Sequence, residues 1–314
     1  MLKEITWYDQ PAFQLETSDF QAVTVPGMGA KIVSLLDKKA GREWLVTPGA
    51  RAFKPAPYGA SFIAYDMSGW DEMFPTIDEC HYPAPGPYQG ALLPDHGEVW
   101  ALPWDIEQAQ DNSLRLGVTG RALPYRLTRT MSFANSQTLR LDYDLTNTGS
   151  TDLIWLWAAH PLFIAEPAVE IQLPAEVSEV INIKDTADWG DPGLHYSWPA
   201  AKTVHGEPFI LNQTRPRSER KYRKYNLLPD QPVSWAALFD QQSNSRLKMA
   251  WDAAKVPYLG IWVVEGSSNP VTVTAPEPST AFYDSLEIAW AEKRFPTIAP
   301  GGVEHWIVTV SFGL

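Results

Sequence analysis

Three positions in this sequence combine a residue type that can move protons near neutral pH with informative neighbours. In "TAPEPST", residues 274 to 280, Glu277 stands between Pro276 and Pro278, directly after a run of alternating valine and threonine. Each proline fixes its own φ and gives up its N–H, and Pro278 also keeps Glu277 out of the helical region. The carboxylate therefore has few conformations to choose from, although the same spacing also suits a surface acid at a strand-to-loop exit. His160, in "AAHPLF", ends an apolar run, and Pro161 imposes an extended exit from it. Residue context alone leaves His160 open as a site residue or as a satisfied core or rim histidine. In "PDHGEVW", His96 lies between Asp95 and Glu98, and Gly97 lets another group approach the backbone closely. His81, His195, His205 and His305 have no comparable neighbours.

Two further stretches could hold a ligand. "SGWDEMFPTIDE" contains Trp70, Asp71 and Glu72, an aromatic face and two acceptors of the kind a polyhydroxylated ligand needs. The competing account is a polar loop anchored by Met73 and Phe74. "RPRSERKYRKY" packs six basic residues into positions 215 to 225. Arginine pairs well with phosphate, so this run is a possible handle for a phosphorylated ligand. A solvated strand or loop face balanced by the acidic remainder of the chain is the favoured account.

The elements that must position these residues read as strands. Leu139, Leu141, Tyr143 and Leu145 alternate with Arg140, Asp142, Asp144 and Thr146, giving one buried and one wet face. Leu114, Leu116 and Val118 repeat the pattern, as do Trp306, Val308, Val310 and Phe312, and "AKIVSLLD" and "NPVTVT" are further candidates. From Leu153 to Ala159 the chain is apolar at almost every position, which predicts a central strand covered on both faces. Helical signal is confined to "DSLEIAWAE", where Asp284 could cap and Glu287 resembles the acidic partner of a capping box. The pattern predicts an all-β protein of packed antiparallel sheets with few short helices. No linker, repeat or composition shift divides residues 1–314, so one unit is expected.

Composition narrows the function classes. The 314 residues are 45% hydrophobic and 20% charged, enough apolar material for a full core. There are 14 Trp residues, whose flat faces with one donor each suit a cleft for hydroxylated ligands. A net charge of −12 argues against nucleic acid or an anionic membrane as partner. The single Cys80 excludes an internal disulfide framework and a Cys-based zinc cluster. "MLKEITWYDQPAF" has no signal-peptide core, and no stretch reaches the length of a membrane span, so the cytoplasm is the expected location. Phosphate-loop, H-E-x-x-H and G-x-S-x-G signatures are missing, and "PGMGAKI" has Ile32 where a dinucleotide loop would place its third glycine.

Taken in order, "GAKIVSLLDKKAGREWL", "GWDEMFPT", "LPDHGEVW", "LTNTGSTDLIWLWAAHPLF", "APEPSTAFYDSLEIAW" and "APGGVEHWIVTV" make the chain resemble the galactose mutarotase-like superfamily of aldose 1-epimerases. The resemblance covers nearly the whole chain and implies one large antiparallel β-supersandwich. It also implies a sugar substrate, no cofactor and no metal. Carried over residue by residue, it makes Glu277 the general base on the anomeric hydroxyl, His160 the general acid toward the ring oxygen, and His96 a residue that binds and polarises the sugar. Trp70, Asp71, Glu72 and Trp262 are then expected to hold the non-reacting hydroxyls and one sugar face. Nearby carboxylates are expected to favour the charged imidazole. The sequence departs from the family pattern twice. An upstream N-R motif is missing from "PYGASFIAYDMSGWDEMFP", and Pro161 and Leu162 follow His160 where the family usually has a threonine and an aromatic residue. A glucose-6-phosphate 1-epimerase-like enzyme, a sugar-binding protein without turnover, and a glycoside hydrolase pairing Glu277 with Glu72 or Asp71 are the alternatives.

Overall fold

The structure, a computed structural model, describes residues 1–49, 53–166, 169–282 and 284–313. Among them, two antiparallel sheets of thirteen and eight strands dominate. The larger sheet opens with the meander Leu2–Trp7, Gln10–Glu16, Phe20–Val25 and Lys31–Asp37. It continues through Trp70–Met73, Ala158–Pro161, Thr272–Ser279, Tyr258–Glu265 and Lys221–Leu227, and ends at Glu179–Asn182 and His195–Ser197. The smaller sheet runs Val169–Gln172, Trp235–Asp240, Ser245–Trp251, Val303–Gly313, Thr138–Asn147, Tyr125–Asn135, Ser113–Thr119 and Asp105–Gln110.

Period-two patterning explains why the sheets stack. Leu139, Leu141, Tyr143 and Leu145 are buried while the intervening residues are half-buried, as the alternation predicts. One apolar cluster joins Leu35, Trp70 and Ile261 of the larger sheet to Leu116, Leu141 and Val308 of the smaller. A buried polar tie crosses the same space. Glu72 accepts hydrogen bonds from Arg129 Nη1 at 2.7 Å, Tyr143 Oη at 2.8 Å and Trp157 Nε1 at 2.8 Å.

Three local expectations change. The apolar run is not one strand: Leu153–Ile154 pairs with Thr297–Ile298 in a separate two-stranded sheet, and only Ala158–Pro161 enters the larger one. Trp155 and Trp157 between them stay buried because both rings pack on Trp306 at 5.3 Å. Apolar continuity reports burial, and burial alone does not fix the strand. His160 is thus interior to its strand, directly opposite Asp71.

The helix spans Leu286–Glu292, and its cap is Ser285, whose Oγ accepts from the Ile288 N–H at 3.2 Å. Asp284 is left free to turn toward the larger sheet. Glu277 does not lie at a loop exit either; it sits inside the fully buried strand Thr272–Ser279. Among the described residues, no helix is long and apolar enough to cross a membrane.

Candidate active site

Four neighbouring strands at the middle of the larger sheet supply the floor of a cavity of about 240 Å³. Side chains alternate across a sheet, so registry decides which residues meet. Lys224 stands opposite Trp262, while Asn226, Gly260 and Glu277 form the next row on the same face. Gly260 has no side chain to separate its neighbours. A Cβ there would lie 2.7 Å from Asn226 Oδ1 and 3.5 Å from Glu277 Oε2.

The two prolines shape the other side of Glu277. Thr272–Ser279 pairs with Phe163 at Thr274 and with Ala158 at Ser279, and no ladder pairing joins the two strands in between. Pro276 and Pro278 have no N–H to contribute there. Across this gap, His160 Nε2 approaches Glu277 Oε1 to 3.6 Å.

Loops provide the wall. His96 has φ 59° and Gly97 φ 69°, and a Cβ on Gly97 would fall 2.1 Å from the Phe74 carbonyl oxygen. The glycine is required because two backbones touch. The turn aims His96 into the cavity, where its ring stacks on Phe62 with centroids 4.2 Å apart and meets His160 edge-on at 5.0 Å. Asp95 fixes the ring orientation through a 2.7 Å contact between its Oδ1 and His96 Nδ1. Its Oδ2 accepts from the Phe62 N–H at 2.9 Å. Burial alone would raise the Asp95 pKa, but His96 and the Phe62 amide outweigh it and hold the acid below the usual carboxylate range.

Charge in the floor is arranged in pairs. Lys224 Nζ lies 2.8 Å from Glu277 Oε2 and 3.0 Å from Asp284 Oδ2. Lys184 Nζ lies 3.6 Å from Asp284 and 2.9 Å from Asp78 at the rim. Burial pushes the Glu277 pKa up, with Lys224 opposing the shift and Asp284 adding to it. Burial would lower the Lys224 pKa, yet Asp284 and Glu277 together hold it above its ordinary value.

His160 behaves differently from expectation. Burial, followed by His96, Lys224 and Lys31, pushes its pKa well below the usual value, which favours the neutral imidazole. The expectation that nearby carboxylates favour its charged form does not hold, because burial and the surrounding cations act the other way. Its Nδ1 is buried without a hydrogen-bond partner among the described residues.

The structure therefore brings Glu277, His160, His96 and Trp262 together around one cavity. Trp70, Asp71 and Glu72 do not line it: they form a strand whose parity turns Trp70 and Glu72 to the opposite face and Asp71 toward Lys31. Glu72 points away into the core, where its three donors fully engage it, and Trp70 packs against Phe163 on that side. Asp71 shares the face of His160 but is itself fully buried, paired at 3.0 Å with Lys31, which also binds Asp66 at 3.1 Å. A hydrolase pairing Glu277 with Glu72 has no geometry to work with.

The basic run is also not a uniformly solvated face. Along Lys221–Leu227 the residues alternate, so Arg223 is buried against Glu265 at 2.7 Å while Lys224 enters the cavity. Lys224, Asp284, Lys184 and Phe62 are the site residues that sequence reasoning missed. Strand alternation applied to "KYRKYNL" would have separated Lys224 from Arg223.

Comparison with known proteins places this architecture. Slr1438 protein from Synechocystis sp. PCC 6803 superposes with a TM-score of 0.73 at 16% identity, over 98% of this chain and 98% of its own. A galactose mutarotase-like protein from Lactobacillus casei gives 0.70 at 16% identity, over 96% of this chain and 100% of its own. A galactose mutarotase related enzyme from Lactobacillus acidophilus gives 0.69 at 13% identity, over 96% and 97%. At such identities the likeness is one of fold, and the fold is galactose mutarotase-like. No curated protein matches the sequence. Residues 11–201, the stretch that holds His96 and His160, match the aldose 1-epimerase family, and the chain belongs to that family.

Proposed function

We propose that the chain is an isomerase that interconverts the α and β anomers of an unphosphorylated aldose, with Glu277 as general base and His160 as general acid. The observation that carries this reading is the 3.6 Å approach of Glu277 Oε1 to His160 Nε2 at the floor of one cavity. The anomeric hydroxyl oxygen and the ring oxygen of a pyranose are bonded to the same carbon. A base for one and an acid for the other must therefore stand side by side.

Glu277 takes the proton of the O1 hydroxyl, and the O–H pair becomes the second bond of the aldehyde. The C1–O5 bond breaks, and its electron pair takes a proton from His160. Rotation about C1–C2 presents the other face, and the reverse transfers close the ring with both groups restored. The low pKa of His160 makes its imidazolium a stronger acid, and the raised pKa of Glu277 makes its carboxylate a stronger base. The same shifts thin the population of the active microstate. That microstate and its tautomer carry one proton between them, so the pH–rate profile is a bell that belongs to the pair.

His96 is positioned to hydrogen-bond the sugar, while Phe62 and Trp262 offer apolar faces to its C–H groups. The cations that line the cavity, Lys184 and Lys224, are both engaged by carboxylates, which favours a neutral sugar over a phosphorylated one. Fold alone would not support turnover. The test is anomer exchange by saturation-transfer NMR on glucose, galactose and their 6-phosphates, comparing the wild type with Glu277→Gln. Acceleration on a free sugar that falls about a hundred- to ten-thousandfold in the variant supports the reading. Sugar binding by calorimetry without acceleration on any sugar replaces it with a non-catalytic binder.

A further inference from the structure

Lys224 is buried at the centre of the floor, and no step of the ring opening uses it. It contacts both carboxylates next to it: Glu277 Oε2 at 2.8 Å and Asp284 Oδ2 at 3.0 Å. From there the charges alternate outward, Asp284 to Lys184 at 3.6 Å and Lys184 to Asp78 at 2.9 Å. The chain thus starts in the dry interior and ends at half-exposed Asp78. Lys224 reaches Glu277 through the oxygen that faces away from His160, leaving Oε1 for the imidazole and the cavity.

A surface lysine so placed would contribute little, because exposed pairs are weak. Here all three groups are buried, and removing the ammonium would leave two neighbouring buried carboxylates without the cation they share, which is strongly unfavourable. The remaining neighbours cannot replace it at Glu277: Lys184, the other cation lining the cavity, is paired with Asp284 and Asp78. Ala158–Pro161 contributes His160, the loop wall contributes His96 held by Asp95, and Tyr258–Glu265 contributes uncharged Gly260 and Trp262. Asn226, one row along from Lys224, is neutral.

We propose that Lys224, itself fixed by Asp284, is the positioning residue of Glu277: it clamps Oε2, aims Oε1 at His160, and supplies the counter-charge of the carboxylate. The proposal rests on Glu277 being the base only for its consequence in turnover; the clamp itself is a property of the ground state. Its two neighbours act on Glu277 with opposite sign. Loss of the lysine charge disfavours the carboxylate and moves its titration to higher pH. Loss of the Asp284 charge removes a repulsion and moves it to lower pH.

The experiment follows the Glu277 side-chain carboxyl carbon by NMR through a pH titration, assigned with Glu277→Gln, in the wild type, Lys224→Met and Asp284→Asn. A pH–rate profile of kcat/KM is recorded on the same proteins. The expected result is a midpoint raised by about one pH unit or more in Lys224→Met and lowered in Asp284→Asn, with the limb of the rate profile that coincides with the Glu277 midpoint following each. Both limbs move up in Lys224→Met, since the lysine also disfavours charge on His160. Lys224→Arg, which keeps the charge, restores the midpoint in part. A purely structural role would lower activity without moving limbs in opposite directions. Unmoved midpoints in both variants overturn the clamp. If Lys224→Met does not fold, an unmoved or raised midpoint in Asp284→Asn overturns it alone. Midpoints that move while the rate limbs stay in place leave the clamp standing and remove Glu277 as the base.

Discussion

At the scale of single residues, burial decides more than charge counting does. Asp71 shares one ammonium, that of Lys31, with Asp66, and all three are buried. Burial raises the Asp71 pKa to about 6, with Lys31 opposing the shift and Asp66 adding to it. The folded state therefore holds a proton that the unfolded state releases near the ordinary value of 3.8. The contribution is fully present below that value and is lost as pH rises through about 6, to a limit on the order of 3 kcal/mol. Asp71→Asn should flatten this slope: its melting temperature falls less than that of the wild type between about pH 4 and pH 7, as calorimetry would read. A variant that keeps the full wild-type slope would assign the slope to other groups. The sequence offered Asp71 as a sugar acceptor because an isolated carboxylate gives no sign of how dry its surroundings are.

At the scale of elements, legibility followed periodicity. The alternating strands Thr138–Asn147 and Val303–Gly313 appear as their patterns predict, because each has one face to bury. "GWDEM" was open to a loop reading, and that ambiguity hid the parity that sends Asp71 and Glu72 to opposite faces. The Asp284 cap failed for a related reason: Ser285 caps equally well, and only the tertiary partner Lys224 decides where Asp284 goes. The turn at His96 is the element on which the wall depends. Gly97→Ala would place a methyl against the Phe74 backbone at a positive φ, so neither backbone can yield cheaply. A loss above about 2 kcal/mol in urea unfolding is expected, together with weakened sugar binding as His96 is displaced. Unchanged stability and affinity would show that the turn can relax.

For the whole molecule, the link between the sheets matters as much as either sheet. Arg129 comes from the smaller sheet and Glu72 from the larger, and their contact is fully buried. Arg129→Met leaves the buried Glu72 carboxyl with only neutral donors, at a cost of about 3–5 kcal/mol. Denaturant titration checks this, and a change below about 1 kcal/mol would mean that Tyr143 and Trp157 suffice. The layered architecture was legible from the strand patterns and from the ordered resemblance, whereas this tie was not, since its partners lie 57 residues apart. The division between strand-borne floor and loop-borne wall has one more consequence. Glu277, His160 and Lys224 are fixed by the registry of the sheet, whereas Phe62 and His96 are carried by connecting segments that tolerate replacement. Under the proposed function, selectivity and reactivity would be inherited separately: exchanging the loops would redirect the protein to another sugar while the proposed proton-transfer groups pass on unaltered.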